Sequence, residues 1–511
     1  MRDYYGLMSA FNQVSENGLA GGGPGPKRIA APFIELPNDE NKKWFAAQDA
    51  KIKAAETNGQ AKEKLELAFA AWMTGVTADS NTPDGKPLAE NLKSILKLAN
   101  DKRSDAQKKE LERGLRTAFE SKVWPGIAAK DPAAKKVDEL KKEAERYRKD
   151  EVPRVMVMRD DKPRETFMLD RGEYLKPKDK IGFATPAFLP AMAKDSPTNR
   201  LGFARWLFQP EHPLTARVQV NRMWQTFFGA GLVKTAEDFG VQSEVPMHRD
   251  LLDWMAVEFR ARGWSMKQMH RLIVTSATYR QSSRVSRELL ARDPENRLFA
   301  RGARFRAPAM VLRDVALAAS GLLDPRVGGR PVYPYQPDAV WETLAITKER
   351  DFTYPASSGA DLYRRSIYTF WRRTIGPANM FDASNRQTCR VRVATTSTPL
   401  HALTTLNDPT WAEAARVLAA RSIEAGKDLD ARLTFAFRRV LGRKPTEKDS
   451  EILRRAFEKQ KKFYDADAKG AAAAVSVGES PRAEQKAVPE HAALTAVCLA
   501  ILNLDEALTR E

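Results

Sequence analysis

Five polar residues that could do chemistry fall in one stretch of the chain: Asn221, Arg222, Asp238, His248 and Asp253. An aspartate that meets a histidine supplies a base and its orienting group, or part of a metal site. Asp238, His248 and Arg222 are therefore the candidate catalytic residues. Asn221, Trp224 and Asp253 are candidate ligand contacts around them. The same residues have a structural use: Arg222 can pair with a carboxylate to brace two helices, and His248 can cap the helix that follows it. A second group, Tyr279, Arg280 and Gln281, could line a glycan pocket, because tyrosine faces and planar polar groups suit sugars. Its alternative is a helix C-terminal turn packed on the core. A third, Arg364, Arg365, Trp371, Arg372 and Arg373, interleaves arginine with aromatics and could bind an anionic polymer, or stack within its own domain.

Between Phe228 and Leu252 the chain also spells three fragments of nucleotide chemistry. Gly229 to Thr235 resembles a phosphate loop, but that loop needs glycine directly before its Lys-Ser/Thr pair. Here the β-branched Val233 precedes Lys234, and a helical pattern stands where a strand should lead in. Asp238-Phe239-Gly240 and His248-Arg249-Asp250 spell two kinase motifs in the wrong order. Met255 stands where the kinase loop needs asparagine. Chance spelling accounts for all three.

The elements that must position these residues read as helices. Val220, Met223, Trp224 and Phe227 recur at i, i+3, i+4 and i+7, which makes "LTARVQVNRMWQTFF" amphipathic with a large aromatic load. The next helix carries Leu251, Met255 and Phe259 and stops at Gly263. Ser265 with Gln268 opens another, and Asp408-Pro409 and Thr446 with Asp449 open two more. "PRVMVMRDDKPRETFMLDRGEY" breaks the texture with two extended runs about a turn at Asp160 to Pro163, a short β-hairpin near 152–170. The fold class is mainly α and multi-helical. The expected parts are a helical region over 1–150, a helical core domain over 151–465, a mobile linker over 466–488, and a C-terminal helix over 489–511 packing back on the core.

Composition narrows the function. The 511 residues carry a net charge of +18. Their lysines concentrate in polar helical runs such as "AAKKVDELKKEAERYRKD", where charge is a solvated face, so nucleic acid is a poor candidate partner. The two cysteines, Cys389 and Cys498, cannot build a disulfide framework, a four-cysteine zinc site or a Cys-x-x-Cys-His haem attachment. The five histidines include no His-x-x-x-His or His-Glu-x-x-His pair, so no metal site is expected. No apolar run reaches about 18 residues, and the N-terminus lacks a basic segment followed by a long apolar one. Neither a transmembrane segment nor a signal peptide is expected in the chain as it stands.

Residues 199–283, from "NRLGFARWLFQPEHPLTARVQVNRMWQTFFGAGLVKTAEDFG" to "HRLIVTSATYRQSS", resemble the planctomycete cytochrome-associated family, catalogued as domains of unknown function 1549 and 1553. The resemblance continues in "LYRRSIYTFWRRT", "FDASNRQTCRVRVATTSTPLHALTTLNDPTWAEAAR" and "ILNLDEALTRE", and "DYYGLMSAFNQVSENGL" is similar to the end of the 1549 domain. Ser243, Arg249 and His401 depart from the family's usual Gly, Pro and Gln. The resemblance implies an exported protein at the periplasm or cell surface. It also implies a c-type haem module upstream, which this chain does not contain, so a truncated chain with no cofactor of its own is expected. The expected role is a binding or scaffold module of an exported, multidomain redox-associated protein, its partner a haem-bearing module or a polysaccharide. The alternative is an enzyme, a hydrolase acting on polysaccharide or another surface substrate.

Overall fold

The computed structural model describes residues 1–14, 31–58, 61–80, 87–128, 132–160, 164–337, 354–371, 376, 377, 379–382, 391, 395–482 and 487–510. The chain is mainly α, and its short strands pair two by two, antiparallel. It divides into two compact units. One takes in described residues 31–159, the other 1–14 and 160–510.

In the smaller unit two long helices, Asp39–Asn58 and Pro132–Glu151, lie against each other. Trp44 stacks on Tyr147 with ring centroids 3.7 Å apart. The buried Gln48 amide donates to the Leu140 carbonyl and to Glu143. A separate small core gathers Leu92, Ile95, Leu111 and Leu115. The strand Arg154–Met156 pairs with Phe33–Glu35 in this unit. The second extended run, Thr166–Leu169, forms a hairpin with Pro177–Ile181 in the larger one. The two runs flanking Asp160 thus find separate partners, which alternation within each run could not reveal.

The larger unit holds two helical clusters. The first is built by the helices Thr215–Phe228, Arg249–Ala261 and Met266–Thr275 around Val220, Met223, Trp224, Met255 and Met269. The second centres on Pro409–Ala425 and Val488–Leu502. Ala414, Ala415 and Leu418 of the former and Ala493, Leu494 and Ile501 of the latter are all buried. Small residues on both faces let these helices approach closely. A terminal strand, Thr509–Arg510, pairs with Phe305–Arg306 and so ties the second cluster back to the first.

Caps set the helix starts. Asp408 accepts from the Thr410 amide just ahead of Pro409. Thr446 and Asp449 form a complete capping box, and Ser265 accepts from the Gln268 amide. Residues 466–488, expected as a mobile linker, carry the helix Ala468–Ala474, whose Ala471 is fully buried. Alanine fits a tight interface without bulk, so a stretch poor in large apolar residues still reaches the core. The loop after it is anchored by Glu413. This buried carboxylate accepts from the Tyr363 hydroxyl (2.8 Å), the Tyr335 hydroxyl (3.0 Å) and the Ser480 amide (2.6 Å).

Candidate functional site

The helix Thr215–Phe228, here the aromatic helix, carries both kinds of candidate. Its start is capped from outside: His212 Nδ1 accepts from the Thr215 hydroxyl (3.0 Å) and faces the amides of Thr215 (3.3 Å) and Leu214 (3.4 Å). An accepting Nδ1 leaves the proton on Nε2, and burial lowers the pKa of the ring below the ordinary histidine value. Its end is Gly229 at φ +75°, where a Cβ would also lie 2.9 Å from the Phe305 ring.

The core face of this helix explains the phosphate-loop spelling. Asn221 is fully buried. Its Oδ1 accepts from the Val233 amide (2.9 Å) and its Nδ2 donates to the Val233 carbonyl (3.1 Å). A Cβ at Gly231 would lie 2.6 Å from that Nδ2, so the loop needs glycine to let the amide bridge form. Lys234 pairs with Glu295 at 2.9 Å. Trp224 is buried, stacked on Phe228 at 4.1 Å and edge-on to Phe299.

The remaining candidates each have a separate partner. Asp238 Oδ1 accepts from the Gly240 amide at 2.6 Å, and the Thr235 hydroxyl donates to the Asp238 carbonyl, so "DFG" is a tight side-chain-stapled turn. His248 occupies the N-cap position of Arg249–Ala261, yet its side chain does not cap. Its Nε2 lies 2.9 Å from the Arg297 carbonyl and its ring packs on Phe299. Asp253 accepts from Arg217 Nε at 2.6 Å, with Arg249 at 3.9 Å. The Arg217 hydrogen bond holds its carboxyl below the usual range. The helix brace expected of Arg222 is thus made by Arg217. Arg222 itself is exposed. Among the described residues, no hydrogen bond joins Asp238, His248 and Arg222 to one another.

The Tyr279 group is closed from within. The Arg510 guanidinium lies 4.1 Å from the centre of the Tyr279 ring, and Phe227 and Phe228 meet that ring edge-on. Arg280 is exposed, and the Gln281 side-chain oxygen is buried without a partner among the described residues. Of the third group, Arg364 is buried. It donates to the carbonyls of Arg330 and Gly328 and lies 4.0 Å over Tyr368. Arg372, Arg373 and Cys389 lie outside the described residues. Cys498 is buried, which pushes its thiol up to about 12.

What the structure does open is a cleft of about 650 Å³ on the other side of the aromatic helix. Thr215, Val218, Gln219 and Arg222 form one wall at i, i+3, i+4 and i+7. The facing walls include Leu7, Leu189, Trp206, Phe259 and Trp264. Trp206 is fixed by a 2.7 Å hydrogen bond from its Nε1 to the Pro190 carbonyl, and meets His212 edge-on at 4.5 Å. Trp264 sits at φ +60°. Of the sequence candidates among the described residues, only Arg222 reaches this cleft. Gln219, His212 and Trp206 were not singled out from sequence. The signal available was a second stripe on the aromatic helix, at the same spacing as the core stripe and ending in Gln219 and Arg222.

Among the described residues no cluster of His, Cys, Asp or Glu could hold a metal ion, and no helix is long and apolar enough to cross a membrane. Residues 199–457 match the family described as PSD1, protein of unknown function (DUF1553). No curated protein and no solved structure matches the chain.

Proposed function

The chain belongs to that family of proteins of unknown function, and from this premise we propose that it is a binding module whose ligand site is the cleft beside the aromatic helix. The observation that carries the reading is the wall Thr215, Val218, Gln219 and Arg222 facing an apolar hollow of about 650 Å³. Small-molecule sites have this size and this makeup, mostly apolar with a few polar groups at fixed points. The rival, a hydrolase using Asp238 and His248, needs the two side chains within hydrogen-bond reach or one water of a shared substrate. Each of them is engaged elsewhere, with Gly240 and with Arg297.

The wider setting is a multidomain, exported, redox-associated protein with a haem-bearing module upstream. The sequence resemblance supports it, and reading the DNA upstream of Met1 for an export signal and a Cys-x-x-Cys-His motif tests it. A polysaccharide partner has less support, since Arg510 covers the Tyr279 face that would have stacked on a sugar.

The cleft itself is tested with Nile red, a neutral apolar dye. Saturable binding is expected in the native protein. Val218→Trp, which fills the cleft, should weaken it at least tenfold while leaving the melting temperature within a few degrees. Dye binding that is unsaturable, or untouched by Val218→Trp, removes the cleft as the ligand site.

A further inference from the structure

The polar groups of the cleft say which ligand it takes. Among the described residues no aspartate or glutamate lines it. Three arginines of the surrounding helices are engaged by the protein itself. Arg217 holds Asp253 and the Pro213 carbonyl, Arg260 donates to the Pro210 carbonyl, and Arg262 pairs with Glu258. Arg222 alone among the lining residues carries a positive charge, and among the described residues it has no ion-pair partner. It lies one turn beyond Gln219 on the same stripe, so a guanidinium and a carboxamide approach the same end of the cleft.

The start of the aromatic helix brings His212 to the cleft wall. His212 is 7% exposed; its Nδ1 accepts from the start of the aromatic helix, and its Nε2 is buried with no hydrogen-bond partner among the described residues. With Nδ1 occupied, this histidine is not free to act as a base. Charge complementarity then selects the head group. An ionised carboxylate only accepts hydrogen bonds and matches the guanidinium fork with two parallel ones. The other walls include Val218, Leu189, Trp206, Phe259 and Trp264, which suit an apolar body.

We infer that the cleft binds a free aliphatic carboxylate, its chain along the apolar walls and its head group on Arg222. This rests on the cleft being the ligand site. The experiment separates the two. Nile red is displaced from the native chain, Arg222→Gln and Arg222→Lys by dodecanoate, dodecan-1-ol and dodecyltrimethylammonium, each below its micellar concentration. Dodecanoate should displace the dye from the native chain at a concentration at least tenfold lower than the alcohol. Arg222→Gln should bring the acid to the level of the alcohol, and Arg222→Lys should keep part of the preference, since lysine retains the charge but not the fork. Equal displacement by all three amphiphiles, unchanged in Arg222→Gln, overturns the carboxylate assignment and leaves the cleft in place. Failure of every amphiphile against a dye that Val218→Trp still excludes also overturns the assignment, because the cleft then takes apolar rings but no chain. A dye insensitive to Val218→Trp overturns the cleft reading and the assignment together.

Discussion

Asn221 and Arg222 are neighbours in the chain and opposites in the structure. Asn221 is fully buried on the core face of the aromatic helix, with both ends of its amide spent on Val233. Arg222 is exposed on the cleft face. The two faces use the same helical spacing, and both meet tryptophan and phenylalanine. They differ in what covers them. On the core side the chain supplies its own occupant: Phe299 packs on Trp224 and Phe228, and Arg510 seals Tyr279. On the cleft side nothing of the described chain fills about 650 Å³. An aromatic and cationic surface is therefore not a site by composition. It is available as one only where the chain leaves it open.

The sharpest way to break this contrast is to truncate the core face. Trp224→Ala removes a large buried side chain, which in protein cores costs about 3–5 kcal/mol. Asn221→Ala strands the Val233 amide and carbonyl in a buried place. At about 1–3 kcal/mol for each of the two unsatisfied groups, a loss of about 2–6 kcal/mol is expected. Both are read from denaturant midpoints. If Asn221→Ala costs no more than a surface substitution, the amide bridge is not what holds the Gly229–Val233 loop.

The next effect in size belongs to the terminal latch. Arg510→Ala removes a guanidinium whose burial lowers its pKa and which lies 4.1 Å from the Tyr279 ring. A partly desolvated cation–π contact contributes about 1–2 kcal/mol. Differential scanning calorimetry should show that loss, while the strand pairing of Phe305 with Arg510 survives because it runs through the backbone. An unchanged transition would mean that Arg510 rests on Tyr279 without holding it.

How far these features could be read from sequence depends on their range. The stripe Val220, Met223, Trp224 names the core because periodicity is local, and all three are buried. The cap at Asp408 and the box at Thr446 follow from adjacent residues for the same reason. The cleft is another matter. Its walls come from Leu7, Leu189, Trp206 and Trp264 as well as the aromatic helix, and no spacing rule links residues so far apart. The Arg510–Tyr279 contact spans 231 positions, so the tyrosine looked available for a sugar when the chain's own end covers it. Arg222 was legible as a functional candidate but not its neighbourhood. Its expected partners, Asp238 and His248, are held by Gly240 and Arg297.

A smaller effect links His212 to pH. Burial depresses its pKa, and Nδ1 can cap the aromatic helix only while unprotonated. The folded state thus binds a proton less readily than the unfolded chain. Its contribution to stability is complete above the unfolded value of about 6.5 and is lost as the pH falls below it through the folded value. His491, also depressed by burial, adds a loss of the same sign. His212→Asn keeps a short capping acceptor without a titrating ring, so its melting temperature should fall less between pH 7 and pH 5 than that of the native chain. Parallel curves for the two would assign the pH dependence elsewhere.

The smallest expected effect is the most telling for the comparison. Arg222 is exposed and, among the described residues, makes no ion pair or side-chain hydrogen bond, so Arg222→Gln should shift stability by no more than about 0.5 kcal/mol. The paired arginine on the same helix, Arg217, should cost more when replaced, because Asp253 loses the hydrogen bond that holds its carboxyl below the usual range. Both groups are about one-third exposed, which keeps that cost near 0.5–1 kcal/mol. Two arginines one and a half turns apart would then divide the work, Arg217 bracing the fold and Arg222 remaining free for a ligand. A stability loss in Arg222→Gln as large as that in Arg217→Ala would place Arg222 with the bracing residues and close the argument for an open cationic end to the cleft.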